Sequence, residues 1–210
     1  MSRFKPEAAE LFVSTDVETD GPIPGAHSML SLASAVFDAE GELVDTFSAN
    51  LEPLPDATTD PQTMTWWQEH PEAWAAATCD PAPPDRVMSE YLSWLGGLGG
   101  RPVFVAYPVA FDYPFVIHYL SRFTGRDPFA RATIDIRSYA MAVMQCATLG
   151  RAGIRRMPRH WVEDDGLSSH IALDDAVRQG LMFIRMYRDN LRRSHSPEPD
   201  PGSLSEYPEW

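Results

Sequence analysis

Short apolar runs open the chain, and one long amphipathic stretch closes its patterned part. Residues 11–17 (Leu-Phe-Val-Ser-Thr-Asp-Val) predict a short buried strand. Two further strand-like runs, Ser28 to Phe37 and Glu42 to Leu51, flank Asp38-Ala39-Glu40-Gly41, and this turn chemistry predicts a hairpin. A Pro- and Asp-rich loop follows, then a Trp-rich segment from Thr65 to Ala77 that Pro71 interrupts. Over Asp85 to Leu95 the residues Val87, Met88, Tyr91, Leu92 and Leu95 recur at helical spacing. Gly96-Gly97-Leu98-Gly99-Gly100 stops that helix.

Arg101 to Ala106 reads as another strand, and Phe111 to Phe123 as a helix with Pro114 near its start. Ile134-Asp135-Ile136 is strand-like and Ser138 to Leu149 helical. Residues 150–166 read as a loop containing Trp161 and the acidic group Glu163-Asp164-Asp165. The clearest helix runs from Ala172 to Leu191, with Leu173, Val177, Leu181, Ile184 and Leu191 as its apolar set. A meander followed by alternating helices and strands predicts an α/β fold, a mixed five-stranded sheet flanked by helices. The folded domain is expected over residues 11–193. It lies between an N-terminal extension (1–10) and a mobile, acidic, Pro-rich tail (194–210).

Composition narrows the class. A chain of 210 residues can build one substantial core and is short for two ordinary domains. With 44% hydrophobic and 22% charged residues it belongs among globular proteins. No apolar run is long enough to span a membrane as a helix, and Met1 to Glu7 lacks the apolar stretch of a signal peptide. A cytoplasmic protein is expected. Its two cysteines, Cys79 and Cys146, have no metal-ligand spacing and read as reduced thiols, with a structural disulfide left open.

A net charge of −13 argues against coating nucleic acid by bulk electrostatics. The charge is uneven, however: residues 1–100 hold 3 basic and 17 acidic side chains. From Arg122 to Arg159, 8 arginines face only Asp127 and Asp135. Such a patch can hold phosphates, or it can be a solvated surface.

Three ordinary elements carry the candidate chemistry. Asp16-Val17-Glu18 closes the first strand, and alternate strand residues share a face, so two carboxylates emerge side by side. They repel unless a cation holds them, and Mg2+ prefers such oxygen ligands; a solvated strand end is the plainer reading. Asp112 opens a helix after a buried strand, where it suits the helix dipole and could be only a cap. His170-Ile171-Ala172-Leu173-Asp174-Asp175 leads into the long helix. A spacing of five places His170 and Asp175 on different faces of a regular helix, so His170 must approach from the loop if both serve one site. Histidine there could take a proton from water; alternatively it is a surface residue with Asp174 or Asp175 as a helix-start charge.

Taken together, these motifs make the chain resemble the DEDDh 3′–5′ exonucleases of the ribonuclease-H-like superfamily, which include oligoribonuclease, the polymerase proofreading subunit and ribonuclease T. Asp16 and Glu18 match the first motif, Phe111-Asp112 the second, and His170 to Ala176 the third, over roughly residues 11–191. The resemblance implies that Asp16, Glu18, Asp112 and Asp175 hold two Mg2+ (or Mn2+) ions and that His170 is the general base. It further implies release of 5′-mononucleotides from a single-stranded RNA or DNA 3′ end. Thr19, and Trp66 or Trp67 as an apolar wedge, would hold the terminal nucleotide, with Arg155 and Arg156 on phosphates. Asp135 reads as structural support, and Asp164 and Asp165 as loop surface.

Many relatives carry His-Asn before the second motif where this chain has Tyr107-Pro108. That departure bears on substrate preference more than on the metal ligands. A homodimer is an assembly open to the chain by analogy, provided the Trp-rich segment is exposed. The competing functions are a non-catalytic nucleic-acid-binding module of the same fold and a phosphodiesterase of very short oligonucleotides.

Overall fold

The computed structural model describes residues 9–163, 166 and 170–194. Residues 1–8, Asp164, Asp165 and the tail beyond Ser194 lie outside the described residues, and with them the expectations for the N-terminal extension, those two aspartates and the tail.

The first strand, β1 (Glu10–Thr19), is flanked on both sides. It pairs antiparallel with β2 (Met29–Phe37), from Phe12 opposite Phe37 to Thr19 opposite Met29. On its other edge it pairs parallel with β4 (Arg101–Ala106). β3 (Leu43–Asn50) extends the hairpin, and β5 (Thr133–Asp135) pairs parallel with β4, so the mixed five-stranded order is β3-β2-β1-β4-β5. A strand covered on both faces needs apolar residues at successive positions, which is why Leu11, Phe12 and Val13 are all buried.

Each sheet face has its own core. Leu11, Val13, Leu32 and Val36 face α3 (Pro84–Gly97) and α4 (Val109–Thr124), meeting Val87, Tyr91, Phe115 and Tyr119. Phe12, Ala33, Ala35 and Phe37 face α5 (Ile136–Val143) and α6 (Ala172–Ser194). The two parallel strands β1 and β4 end at the same side of the sheet, and α4 and α6 begin there. Crevices at strand carboxyl ends are where α/β sheets place ligands.

Several elements differ from the sequence reading. The Trp-rich segment is two helices, α1 (Pro61–Glu69) and α2 (Pro71–Thr78). Asp60 caps the first by accepting Thr63 N–H, and Pro71 opens the second, where a missing N–H costs nothing. α5 begins and ends earlier than the pattern suggested, because Asp135 caps it through Ser138 N–H. The predicted loop holds three short 3-10 turns, Leu149–Ala152, Ile154–Arg156 and Arg159–Trp161. Trp161 is fully buried there, its indole N–H donating to Asp189 at 2.7 Å.

The buried face of α6 includes most of the predicted apolar set but is centred on other residues. Of that set Ile184 is buried, Leu173, Val177 and Leu181 are half-buried against the core and Leu191 is exposed, while Ala172, Ala176, Phe183 and Met186 are buried as well. Small residues let the helix lie close on the sheet. A Cβ on Gly180 would stand 2.2 Å from the Phe37 ring, so the approach requires glycine. Both cysteines are free thiols, and no helix among the described residues is long and apolar enough to cross a membrane.

Candidate active site

Four carboxylates converge where β1 ends. Asp16 and Glu18 leave the strand on one face, as the two-residue repeat dictates. The first turn of α6 brings Asp175 to them, and ligand oxygens of Asp16, Glu18 and Asp175 all lie within 4.8 Å of one another. Asp112, buried in the first turn of α4, accepts the Val17 backbone N–H at 3.2 Å, between the two strand carboxylates. The start of α4 is held in turn by Asp135, which accepts Val109 N–H at 3.1 Å and caps α5 with its other oxygen. Asp135 thus braces the motif.

Their electrostatics are strained in one direction. Burial raises the Asp16 carboxyl well above its ordinary range, reinforced by the charges of Asp112, Glu18 and Asp175 and opposed by the Gln179 amide. Glu18 is pushed up to about 7 by burial and by Asp175. Asp112 also reaches about 7, mainly through burial, although the N–H groups of Val17 and Asp112 itself pull the other way. Such a group cannot ionise fully without a counter-cation. An all-oxygen donor set of this compactness fits hard divalent cations such as Mg2+ or Mn2+.

His170 lies just before α6 with φ +62°, exposed, so it does come from the loop. Its backbone N–H donates to Asp175 Oδ2 at 2.8 Å. Its ring packs edge-on against Trp66 at 5.1 Å and His70 at 5.4 Å, and it shares a small cavity with Glu18.

Two neighbours were missed in the sequence. Arg178 pairs with the other oxygen of Asp175. Gln179 donates to Asp16 Oδ1 at 2.8 Å while its own Oε1 accepts Tyr107 N–H at 2.9 Å. The available signal was their spacing of three and four from Asp175 on one helix, which places them on the same side of it.

Two further clefts share residues with the cluster. One, of about 170 Å3, is lined by Thr19, Thr63, Trp66, Trp67 and Phe111 together with Val17 and Glu18. Trp66 is half-buried and presents its ring beside Glu18. Trp67 is only 3% exposed, with its indole N–H bound to Thr19 O at 2.9 Å, so it is the cleft floor and not a free stacking face. Of the Trp-rich segment, Trp67 is buried while Trp66 and Trp74 are half-buried. The second cleft, about 220 Å3, shares Asp175 and Gln179 with the cluster. Arg178 and Arg185 line it. Arg155 and Arg156 are exposed, and from their turn only Ile154 reaches the cleft.

A sheet of this order, with carboxylates gathered at the end of β1 and the starts of α4 and α6, has the ribonuclease-H-like exonuclease fold. Residues 11–185 match the family described as the 3′–5′ exoribonuclease Rv2179c-like domain. The chain belongs to that family: it is a 3′–5′ exonuclease, a phosphodiester hydrolase. It is similar to the 3′–5′ DNA exonuclease Cap18 of Escherichia coli, 30% identical over 184 residues covering 83% of this chain and 90% of that protein. Its fold is similar to the nuclease domain of 3′hExo, a DEDDh family member bound to rAMP. That match has TM-score 0.63 and 13% identity over 88% of this chain and 94% of the other. It is also similar to Pop2p of S. pombe in its Mg2+- and Mn2+-bound form, with TM-score 0.61 and 13% identity over 88% and 83% of the two chains.

Proposed function

We propose that the protein shortens single-stranded nucleic acid from its 3′ end, releasing 5′-mononucleotides, with Asp16, Glu18, Asp112 and Asp175 holding two Mg2+ or Mn2+ ions. The observation that carries this reading is the gathering of three carboxylates within 4.8 Å, with Asp112 tied to the backbone between two of them. Held by these four carboxylates, divalent ions would supply a lowered pKa for a water and stabilisation of charge on a leaving oxygen. His170, tethered to Asp175 by its own N–H, receives the proton of the attacking water. The bond between phosphorus and the 3′ oxygen breaks, that oxygen takes up a proton, and the strand is left one nucleotide shorter with a new 3′-hydroxyl.

Gln179 holds Asp16, and Arg178 balances the charge of Asp175. Trp66 and Phe111 offer apolar surface to the terminal base, and the buried Thr19 shapes the same cleft. Likeness to Cap18 makes DNA the first substrate to test, and the family description makes RNA the second. The two free thiols suit a cytoplasmic enzyme.

Calorimetric titration of Mn2+ into the protein is expected to show two ions per chain, with loss of high-affinity binding in Asp16→Ala. Chromatography of digested DNA and RNA should then show 5′-mononucleotides formed with Mg2+ and none with EDTA. Binding of no divalent ion, or release of 3′-mononucleotides, would refute the reading.

A further inference from the structure

His70 stands where α1 ends and α2 begins, directly before Pro71. A residue entering a helix is commonly Ser, Thr, Asp or Asn, whose side chain accepts from the first turn. His70 makes no such bond. Its ring folds back instead and stacks on Trp66, with centroids 4.1 Å apart and planes 20° from parallel. Nδ1 lies 2.8 Å from the Trp66 carbonyl oxygen, which only accepts, so Nδ1 carries the hydrogen.

The His170 ring meets both members of this stacked pair edge-on. The pair is tied to β1, since Trp66 packs against Trp67, whose indole N–H donates to Thr19 O at 2.9 Å. Little else fixes His170. It is exposed, its φ of +62° lies in the region that favours glycine, and its ring nitrogens have no hydrogen-bond partner among the described residues. Its ring also borders two cavities. One, of about 110 Å3, is shared with Glu18. The other, of about 340 Å3, is lined by Glu69, Pro71 and Glu72 and holds none of the cluster carboxylates.

We propose that His70 is a positioning residue for His170: stacked on Trp66, it completes the surface that holds the imidazole on the Glu18 side. This rests on the exonuclease reading, in which His170 takes the proton of the attacking water. A general base works only within hydrogen-bond reach of that proton. Without the His70 ring, the imidazole is free to turn into the larger cavity, while the four carboxylates stay as they are.

His70→Asn tests this, because asparagine keeps a donor near the place of Nδ1 and suits the start of α2, while the ring is lost. With Mg2+, kcat on a single-stranded oligomer should fall about tenfold, part of what a general base supplies, with KM within about threefold. His70→Phe, which returns a ring without the N–H, should recover most of that loss. In a His170→Ala background, His70→Asn should change kcat less than about twofold, because a residue acting through His170 has nothing left to act on. NMR at one pH gives a readout independent of activity. The His170 ring resonances, assigned by their absence in His170→Ala, should move in His70→Asn and move back in His70→Phe. An unchanged kcat in His70→Asn, a loss confined to KM, or a His70→Phe protein no better than His70→Asn overturns the proposal. So does an equal loss in the His170→Ala background, or His170 resonances that stay in place. If the wild type hydrolyses neither DNA nor RNA with Mg2+, the exonuclease reading fails separately, and the resonances still decide whether His70 holds the ring.

Discussion

The acidic site has two walls, and they are built from different materials. On the sheet wall, Asp16, Glu18 and Asp112 are fixed by strand pairing on both edges of β1 and by the Val17–Asp112 hydrogen bond. Burial there raises all three carboxyls. On the helix wall, Asp175 and His170 are held by contacts within one turn of chain, the His170 N–H and the Arg178 guanidinium. The sheet wall therefore stores an electrostatic demand for cations in a rigid frame. The helix wall carries His170, the proposed proton acceptor, and Arg178, whose guanidinium pairs with Asp175. Under the proposed reading both walls offer metal ligands, Asp175 from the helix wall, but only the helix wall offers a proton acceptor, so substitutions of Asp112 and His170 should fail differently.

Removing a carboxylate from the sheet wall should have the largest effect. Asp112→Asn is expected to lower kcat/KM by roughly 10³-fold or more, since bound ions are worth several kcal/mol of charge stabilisation. Calorimetry should show weakened Mn2+ binding in the same variant. His170→Ala should cost about 10²- to 10⁴-fold in kcat and keep its metal binding. Equal damage to metal binding by both substitutions would erase the distinction between the walls.

Gln179 joins the walls, because an α6 side chain grips a β1 carboxylate. Gln179→Leu is expected to weaken Mn2+ binding about 10- to 100-fold with the fold intact by circular dichroism, the usual effect of losing a hydrogen bond to a metal ligand. Unchanged metal affinity would show that β1 alone orients Asp16.

The smallest effect is one of stability. A carboxyl whose pKa rises on folding binds more protons in the native state than in the unfolded state between the two values. Native stability is then full below the unfolded value and falls as pH rises toward the folded one. With Glu18 and Asp112 near 7, metal-free protein should lose stability between about pH 4.5 and 7. The melting temperature should fall by about 3 °C or more over that window, and Mg2+ should restore more of it at pH 7.5 than at pH 5. A melting temperature that rises from pH 5 to 7 in EDTA would contradict the raised carboxyls of the sheet wall.

The sheet wall was legible in the sequence, and the helix wall only partly so. Asp-x-Glu at a strand end and Phe-Asp at a helix start announce themselves because strand period and helix entry fix where those side chains point. The links between elements do not. Nothing local in Arg178-Gln179 says that one meets Asp175 while the other reaches Asp16, 163 residues away in the chain. Trp66 and Trp67 look equivalent as neighbours, yet a helix turns the second inward to the Thr19 carbonyl. The core face of α6 was read incompletely for a related reason. Leucines mark a hydrophobic stripe, but close packing on β2 selects Ala172, Ala176 and Gly180, whose small size is uninformative until the sheet is present.

The most direct test follows 5′-labelled single-stranded DNA and RNA oligomers over time with Mg2+, with Mn2+ and with EDTA, beside Asp16→Ala. The account predicts a ladder shrinking from the 3′ end that requires the metal and is absent in the variant. Cleavage that persists in EDTA or in Asp16→Ala, or a ladder that begins at the 5′ end, would contradict it.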